Sequence, residues 1–171
     1  MLVAGTETSI SGISNIMHCA LRWLAVAADS PVSALVKESL RWEPPLHSVI
    51  RFAMNDVVIE GARIARRRPV LLVIASANRD ESVFADAERF DPVRDGRQAI
   101  PFGVGQHACP GSFLAEREFN ALFSALTAAF QITVASDQFT EIHGHVFRRP
   151  RTLPVRASQA VSPNPREVVK S

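Results

Sequence analysis

FGVGQHACPG, residues 102–111, places one cysteine, Cys109, in a glycine-rich loop directly ahead of an amphipathic segment. The glycines at 103, 105 and 111 allow sharp turns and let the backbone approach a flat ligand closely. After the loop, apolar side chains recur at helical spacing and predict a helix that ends near Phe130. Cys109 therefore lies near a helix N terminus, where the dipole and the free N–H groups favour a thiolate.

Several kinds of site could use a cysteine in such a loop. A lone cysteine before a helix is often a buried apolar residue. A dinucleotide-binding loop would need a third glycine and a strand before it, and a phosphate-binding loop would need Lys-Ser/Thr after Gly111. A Cys–His nucleophile pair with His107 would need an orienting acid, and the sequence identifies none. A thiolate held among small residues is, in contrast, what an axial haem-iron ligand requires.

The same ten residues resemble, in register, the haem-binding signature Phe-Gly-x-Gly-x-His-x-Cys-x-Gly of the cytochrome P-450 family, the haem-thiolate monooxygenases. Within that family, the motifs most resemble those of the soluble bacterial class. This resemblance implies haem b as the cofactor and Cys109 as the axial ligand of its iron. It also implies that Phe102, Gly103 and Gly111 belong to the haem-binding loop.

A second motif, AGTET at residues 4–8, sets an acid beside a hydroxyl in a run of small residues. Alone it is typical of a solvated first helical turn. It resembles the oxygen-activation motif Ala-Gly-x-Glu-Thr of the family. The resemblance implies that Ala4 and Gly5 open a groove over the haem, and that Glu7 and Thr8 are catalytic residues that deliver protons to dioxygen.

A third motif pairs Glu38 with Arg41 on one helix face. It resembles the Glu-x-x-Arg motif of the family, which implies a buried pair that locks onto an arginine of a later segment, for which Arg89 fits. Such a guanidinium needs well-satisfied bidentate geometry, because its desolvation is costly. We expect this triad to be structural and to hold the cysteine loop in shape.

Haem propionates are anions that need cationic or hydrogen-bonding partners. The resemblance assigns this task to Arg51, shortly after Pro44-Pro45, and to His107, two residues before the cysteine. Read alone, Arg51 is typical of a surface strand residue. Residues 46–50 resemble the family segment whose side chains face the substrate over the haem.

Periodicity and breaker residues predict a mainly α fold with a minor β-sheet (α+β). The resemblance implies that this is the C-terminal part of the cytochrome P-450 fold, truncated before its long central helix. Helices are expected over 1–28, 32–42 and after the cysteine loop, with a short one possible at 80–84, and strands at 48–53, 57–59, 62–64, 70–74, 131–134 and 146–155. The domain is expected over 1–156, with a disordered tail over 157–171. In the hairpin, Arg67 replaces a family glycine, so a positive φ is predicted there.

The 171 residues suffice for one domain that buries roughly 70% of its unfolded surface. A net charge of +2 does not suggest a nucleic-acid partner. Apolar runs fall short of the roughly 20 residues that span a membrane, and no signal peptide is visible. Two cysteines, without metal-finger spacing, favour a reducing cytoplasmic setting.

Together these resemblances imply an enzyme that inserts one atom of dioxygen into a small organic substrate, with electrons from a ferredoxin-type partner. Arginines at 66–68 and at 148, 149 and 151 are candidates for the docking face, or plain solvated surface. The alternative is a truncated, catalytically inactive haem-binding remnant, or an interaction module, that needs the missing segments. Absent pocket walls favour this alternative, because catalysis depends on excluding water and fixing the substrate.

Overall fold

The computed structural model describes residues 2–23, 27–135 and 141–160. The helices with described bounds are α1 (Leu2–Arg22), α2 (Val32–Trp42), α3 (Ile74–Ala77) and α4 (Ser112–Ala129). The strands are β1 (Val49–Phe52), β2 (Val57–Ile59), β3 (Ala62–Ile64), β4 (Pro69–Leu72), β5 (Phe130–Val134), β6 (Ile142–His143), β7 (Arg149–Pro150) and β8 (Val155–Gln159). The chain is therefore a mixture of helix and sheet, as predicted. Within the described ranges, no helix combines the length and the apolarity that a bilayer crossing requires.

The main core forms where α1, α2 and α4 meet. Its buried side chains are Ile16, Val36, Leu40, Phe119 and Phe123. The two core residues of α2 and the two of α4 lie four positions apart, so each of these helices presents an apolar stripe to the core, and α1 contributes Ile16. At Gly12 a Cβ atom would lie 2.6 Å from Cζ of Phe119, so the missing side chain lets α1 and α4 approach closely.

A second, aromatic cluster fastens the segment after α3 to the first two helices. The rings of Trp23 and Phe90 stack with centroids 4.5 Å apart, and Trp42 meets Trp23 edge-on at 5.1 Å. Cys19 and Leu35 are buried beneath them. The cluster fixes the residue 78–100 segment against α1 and α2, and this segment leads directly into the cysteine loop.

The strands form four antiparallel pairs: β1 with β4, β2 with β3, β5 with β8, and β6 with β7. In the first pair Val49 lies opposite Leu72 and Phe52 opposite Pro69. The hairpin before β4 contains Arg67 at φ +66°, which confirms the predicted positive φ. The N–H of Arg67 donates to the Ala53 carbonyl at 2.7 Å, which holds this strained residue in place.

Several predicted boundaries differ from the structure. α1 ends at Arg22 rather than at 28, and residues 24–26 of the predicted helix lie outside the described residues. The short helix predicted at 80–84 is wrong: Oδ1 of Asp80 accepts hydrogen bonds from the N–H and hydroxyl of Ser82, which stabilises turns. The strand predicted over 146–155 is interrupted, with β7 at 149–150.

The predicted tail begins within an ordered strand. Ala157 pairs with Ile132, and Gln159 pairs with Phe130, so β8 continues three residues past the predicted end of the domain. Cross-strand pairing with β5 satisfies backbone groups that a free tail would leave to water. Residues 161–171 of the predicted tail lie outside the described part of the chain.

Candidate functional site

The cysteine loop is closed by a backbone hydrogen bond. The N–H of Cys109 donates to the Phe102 carbonyl at 2.9 Å, and the residues between them turn through Gly103 at φ +69° and Gly105 at φ +74°. Residues with a Cβ adopt such angles at a cost, so the glycines are required for this turn. Cys109 stands three residues ahead of α4, near the positive end of the helix dipole.

The two cysteines lie in opposite environments. Cys19 is fully buried, and this burial raises the pKa of its thiol, so the sulfur remains protonated and inert. The side chain of Cys109 is exposed. A Cβ atom on Gly111 would lie 3.9 Å from Sγ of Cys109, so the glycine leaves the space beside the sulfur open. Of the two thiols, Cys109 is the one that a ligand can reach.

Glu7 and Thr8 lie on α1, in the same helix as Ala4 and Gly5. Among the described residues, no atom outside the neighbouring helix backbone lies within 4 Å of the position that a Cβ on Gly5 would occupy, so the helix surface is open to them there. Glu7 is half exposed, and its Oε2 accepts a hydrogen bond from Nη1 of Arg149 at 3.0 Å. This ion pair with β7 was not foreseen from the sequence.

Arg41 is fully buried and all its donors are used. Its Nε and Nη2 donate to the two carboxylate oxygens of Glu38, at 2.8 and 2.7 Å. Nη1 donates to the carbonyls of Asn78 and Ala87 at 2.9 and 3.0 Å, and Nη2 also reaches the Arg89 carbonyl at 3.1 Å. The bidentate pair agrees with the predicted buried geometry and ties α2 to the segment before the cysteine loop.

The third member of the cluster is Arg94, which corrects the prediction of Arg89. Nε of Arg94 lies 3.7 Å from Oε1 of Glu38. Arg89 is exposed, and only its backbone carbonyl contacts the cluster. The N–H of Asp91 donates to the same Glu38 oxygen at 2.8 Å. Both arginines lie in one turn-rich segment, and which of them turns inward depends on how that segment packs, not on local sequence.

The two residues predicted to bind propionates are both exposed. Arg51 lies on β1, opposite Val70, and its Nη1 donates to the Ile50 carbonyl at 3.0 Å. His107 ends the short 3-10 turn over Gly105–His107, with its Nε2 3.4 Å from Nε2 of Gln106. Among the residues that the structure describes, neither pairs with a carboxylate, so both can accept an anionic partner.

Comparison with known proteins identifies the family of the chain. The family model of cytochrome P-450 matches residues 32–152, which include the Glu38–Arg41 pair and the cysteine loop. The chain belongs to the cytochrome P-450 family. The predicted resemblance is thereby confirmed.

Relatives of the chain include bacterial members of the family. Linalool 8-monooxygenase of Pseudomonas putida is 39% identical over 74% of the chain, and cytochrome P-450 BJ-3 of Bradyrhizobium diazoefficiens is 33% identical over 91%. A solved cytochrome P-450 structure from Chondromyces apiculatus superposes with a TM-score of 0.85 at 39% identity, covering 94% of the chain. The chain spans 32% and 40% of the two curated relatives and 43% of the solved structure.

Haem b is the cofactor of the family, and the residues of this cytochrome P-450 chain fit the group. The fit rests on an exposed thiol in a glycine turn, with a half-buried Phe102 packed against the core beside it. The exposed guanidinium of Arg51 and imidazole of His107 offer a cation and a hydrogen-bonding group, which the propionates of the macrocycle require.

The sequence analysis missed the contacts that two residues, Arg94 and Arg149, make. Arg94 carries a faint signal, since it follows Phe90-Asp91-Pro92 in a segment where an arginine was expected. Arg149 carries none, because its partner Glu7 lies 142 residues earlier in the chain. Contacts of this range arise from packing and cannot be found by spacing.

Proposed function

We propose that the chain is the haem-thiolate portion of a monooxygenase, in which one atom of dioxygen enters a small organic substrate and the other leaves as water. The single observation that supports this most is the exposed thiol of Cys109 in the glycine turn before α4. When bound, haem b would supply the iron at which dioxygen is activated, and the Cys109 thiolate would hold that iron.

Proton delivery falls to the α1 motif in this proposal. The Glu7 side chain is 43% exposed, so its carboxylate can exchange protons with water. Thr8 is the next residue on α1 and is half-buried, so the motif supplies a hydroxyl as well as an acid. An acid and an alcohol of one helix segment can together relay a proton.

A ferredoxin-type electron donor would dock on the sulfur side of the loop. A cavity of about 520 Å³ there is lined by Cys109 together with Lys37, Arg94 and Arg97, and also by Asp95 and Glu116. Lys37 is exposed and suits an acidic partner, whereas Arg94 and Arg97 are engaged with Glu38 and Asp95. Arg148 and Arg149 are engaged with Glu43 and Glu7, which leaves them less suited to such a face. The proposed setting is cytoplasmic, and residues 46–50 are the proposed substrate-facing segment.

One observation favours a second candidate, a haem-binding chain without turnover. Ile50, Phe52, Leu71 and Leu72 of the β1–β4 pair are all exposed, by 58, 65, 58 and 43%. An apolar surface of this kind requires cover. A chain that lacks this cover would bind haem but leave the substrate in contact with water, which weakens catalysis.

The test is a reduced carbon-monoxide spectrum of the purified chain loaded with haem. We expect a red-shifted Soret band typical of thiolate ligation, its loss in Cys109→Ser, and its retention in the matched variant Cys19→Ala. An ordinary haem spectrum in the wild-type chain, or an unchanged band in Cys109→Ser, contradicts the proposal. Substrate oxidation with a surrogate ferredoxin then separates the enzyme from the binding chain, in which the band appears without product.

A further inference from the structure

The ion pair between Glu7 and Arg149 joins the proposed proton-delivery helix to a strand far along the chain. Nη1 of Arg149 lies 3.0 Å from Oε2 of Glu7, and the two side chains are 39% and 43% exposed. An ion pair this exposed contributes little to stability, because water screens it. Its main consequence is therefore the direction in which the Glu7 carboxylate points.

The position of Arg149 is built into the fold through its neighbour Arg148. The N–H of Arg148 donates to the Pro45 carbonyl at 3.2 Å, and its own carbonyl accepts from Nδ2 of Asn15, on α1, at 2.9 Å. The same Asn15 nitrogen donates to the Glu43 carbonyl at 3.1 Å. These contacts bind the chain just before β7 to α1 and to the end of α2.

The Arg148 side chain adds two further contacts. Its Nε lies 3.4 Å from Oε1 of Glu43, and its Nη1 lies 3.2 Å from Nε2 of His47. Backbone and side chain of Arg148 are thus both held, so the next residue starts from a fixed point. The anchored backbone therefore fixes where the Arg149 side chain begins, next to Glu7. The ion pair is part of the fold and differs in this from a contact between two mobile surface side chains.

The geometry points to Arg149 as a positioning residue for Glu7. Its guanidinium holds the flexible carboxylate on the β7 side of α1, in one orientation beside Thr8. This inference rests on the proposed function, since the orientation of the Glu7 carboxylate affects the reaction only if a haem-bound ligand lies within the electric field of that carboxylate. Arg149 itself touches neither the haem nor the substrate in this assignment.

The probe is carbon monoxide on the reduced, haem-loaded chain, measured by infrared spectroscopy, because the C–O stretch responds to nearby charge. We expect one band in the wild type, and a shifted or split band in Arg149→Met, in which Glu7 is released. In the Glu7→Gln background, Arg149→Met should cause no further change. Arg149→Lys should restore part of the wild-type band, and Arg151→Met, an exposed arginine two residues later, should leave it unchanged.

Each result has a distinct meaning. A wild-type band in Arg149→Met, with the thiolate Soret band intact, overturns the inference and leaves the proposed function standing. A change in Arg149→Met that persists in the Glu7→Gln background also overturns it, because Arg149 would then act by itself. Failure of the wild-type chain to give the thiolate spectrum refutes the proposed function first. Urea unfolding midpoints that agree among the variants exclude a general loss of structure as the cause.

Discussion

Replacing Arg41 with lysine tests whether the buried cluster behind the cysteine loop holds the fold together. Arg41 is fully buried and donates five hydrogen bonds: two to the Glu38 carboxylate and three to backbone carbonyls. Lysine keeps the charge, but its three donors share one nitrogen and cannot reach two carboxylate oxygens and three carbonyls at once. Arg41→Lys therefore leaves buried acceptors without partners.

The magnitude follows from these contacts. Breaking a buried ion pair costs about 3–5 kcal/mol, and the retained charge of lysine places Arg41→Lys near the lower end, about 3 kcal/mol. Since domains are stable by only about 5–15 kcal/mol, this loss is a large fraction of the total. The measurement is urea unfolding followed by circular dichroism at 222 nm, a wavelength that reports helix.

Arg97→Lys is the matched control. Nη2 of Arg97 lies 2.7 Å from Oδ2 of Asp95, and its Nε lies 3.0 Å from both carboxylate oxygens, but the arginine side chain is 88% exposed. The same chemistry in water should leave the urea midpoint unchanged. Equal effects of Arg41→Lys and Arg97→Lys would refute the claim that burial of the cluster, rather than its bidentate geometry alone, stabilises the fold.

Three further outcomes are expected. Arg67→Gly should raise the free energy of unfolding by about 0.5–1 kcal/mol, because φ is +66° there. The control Arg66→Gly should lower it. An Arg67→Gly variant that is no more stable than the wild type contradicts the strain argument. Gly12→Ala should destabilise the fold by about 1–3 kcal/mol, because the added Cβ clashes with Phe119. Gly5→Ala, whose Cβ meets open space, should not destabilise it. Thermal melting temperatures of the two variants test this difference. Burial, with smaller contributions from Arg148 and Arg79, lowers the pKa of His47, so its stabilisation is present above pH 6.5 and is lost as pH falls through the folded-state pKa. His47→Gln should therefore flatten the fall in urea midpoint between about pH 7 and pH 5, and an unchanged slope would count against it.

Local signals were strong enough to place the helices that carry the motifs. α2 has the predicted bounds 32–42, because Asp29-Ser30-Pro31 precedes it and Pro44-Pro45 follows it. The positive φ at Arg67 was also predicted, because the resemblance places a family glycine at this turn position. Such features depend on neighbours in sequence, which is why they can be read without a structure.

Features that depend on packing were not predictable. The choice of Arg94 over Arg89 as the partner of Glu38 is set by how the 78–100 segment lies against α2. The Glu7–Arg149 pair depends on β7 being bound to α1 through Asn15. The extension of β8 to Gln159 depends on β5 offering an open edge. Composition alone marked that last segment as a loop.

The aromatic cluster determines what intrinsic fluorescence can report. The sequence contains two tryptophans and no tyrosine, and both tryptophans, Trp23 and Trp42, lie in one cluster with Phe90. All emission therefore comes from the junction of α1, α2 and the 78–100 segment. A change in emission would therefore show that this junction has opened. Local unfolding confined to the Cys109 loop would leave the emission of the haem-free chain unchanged.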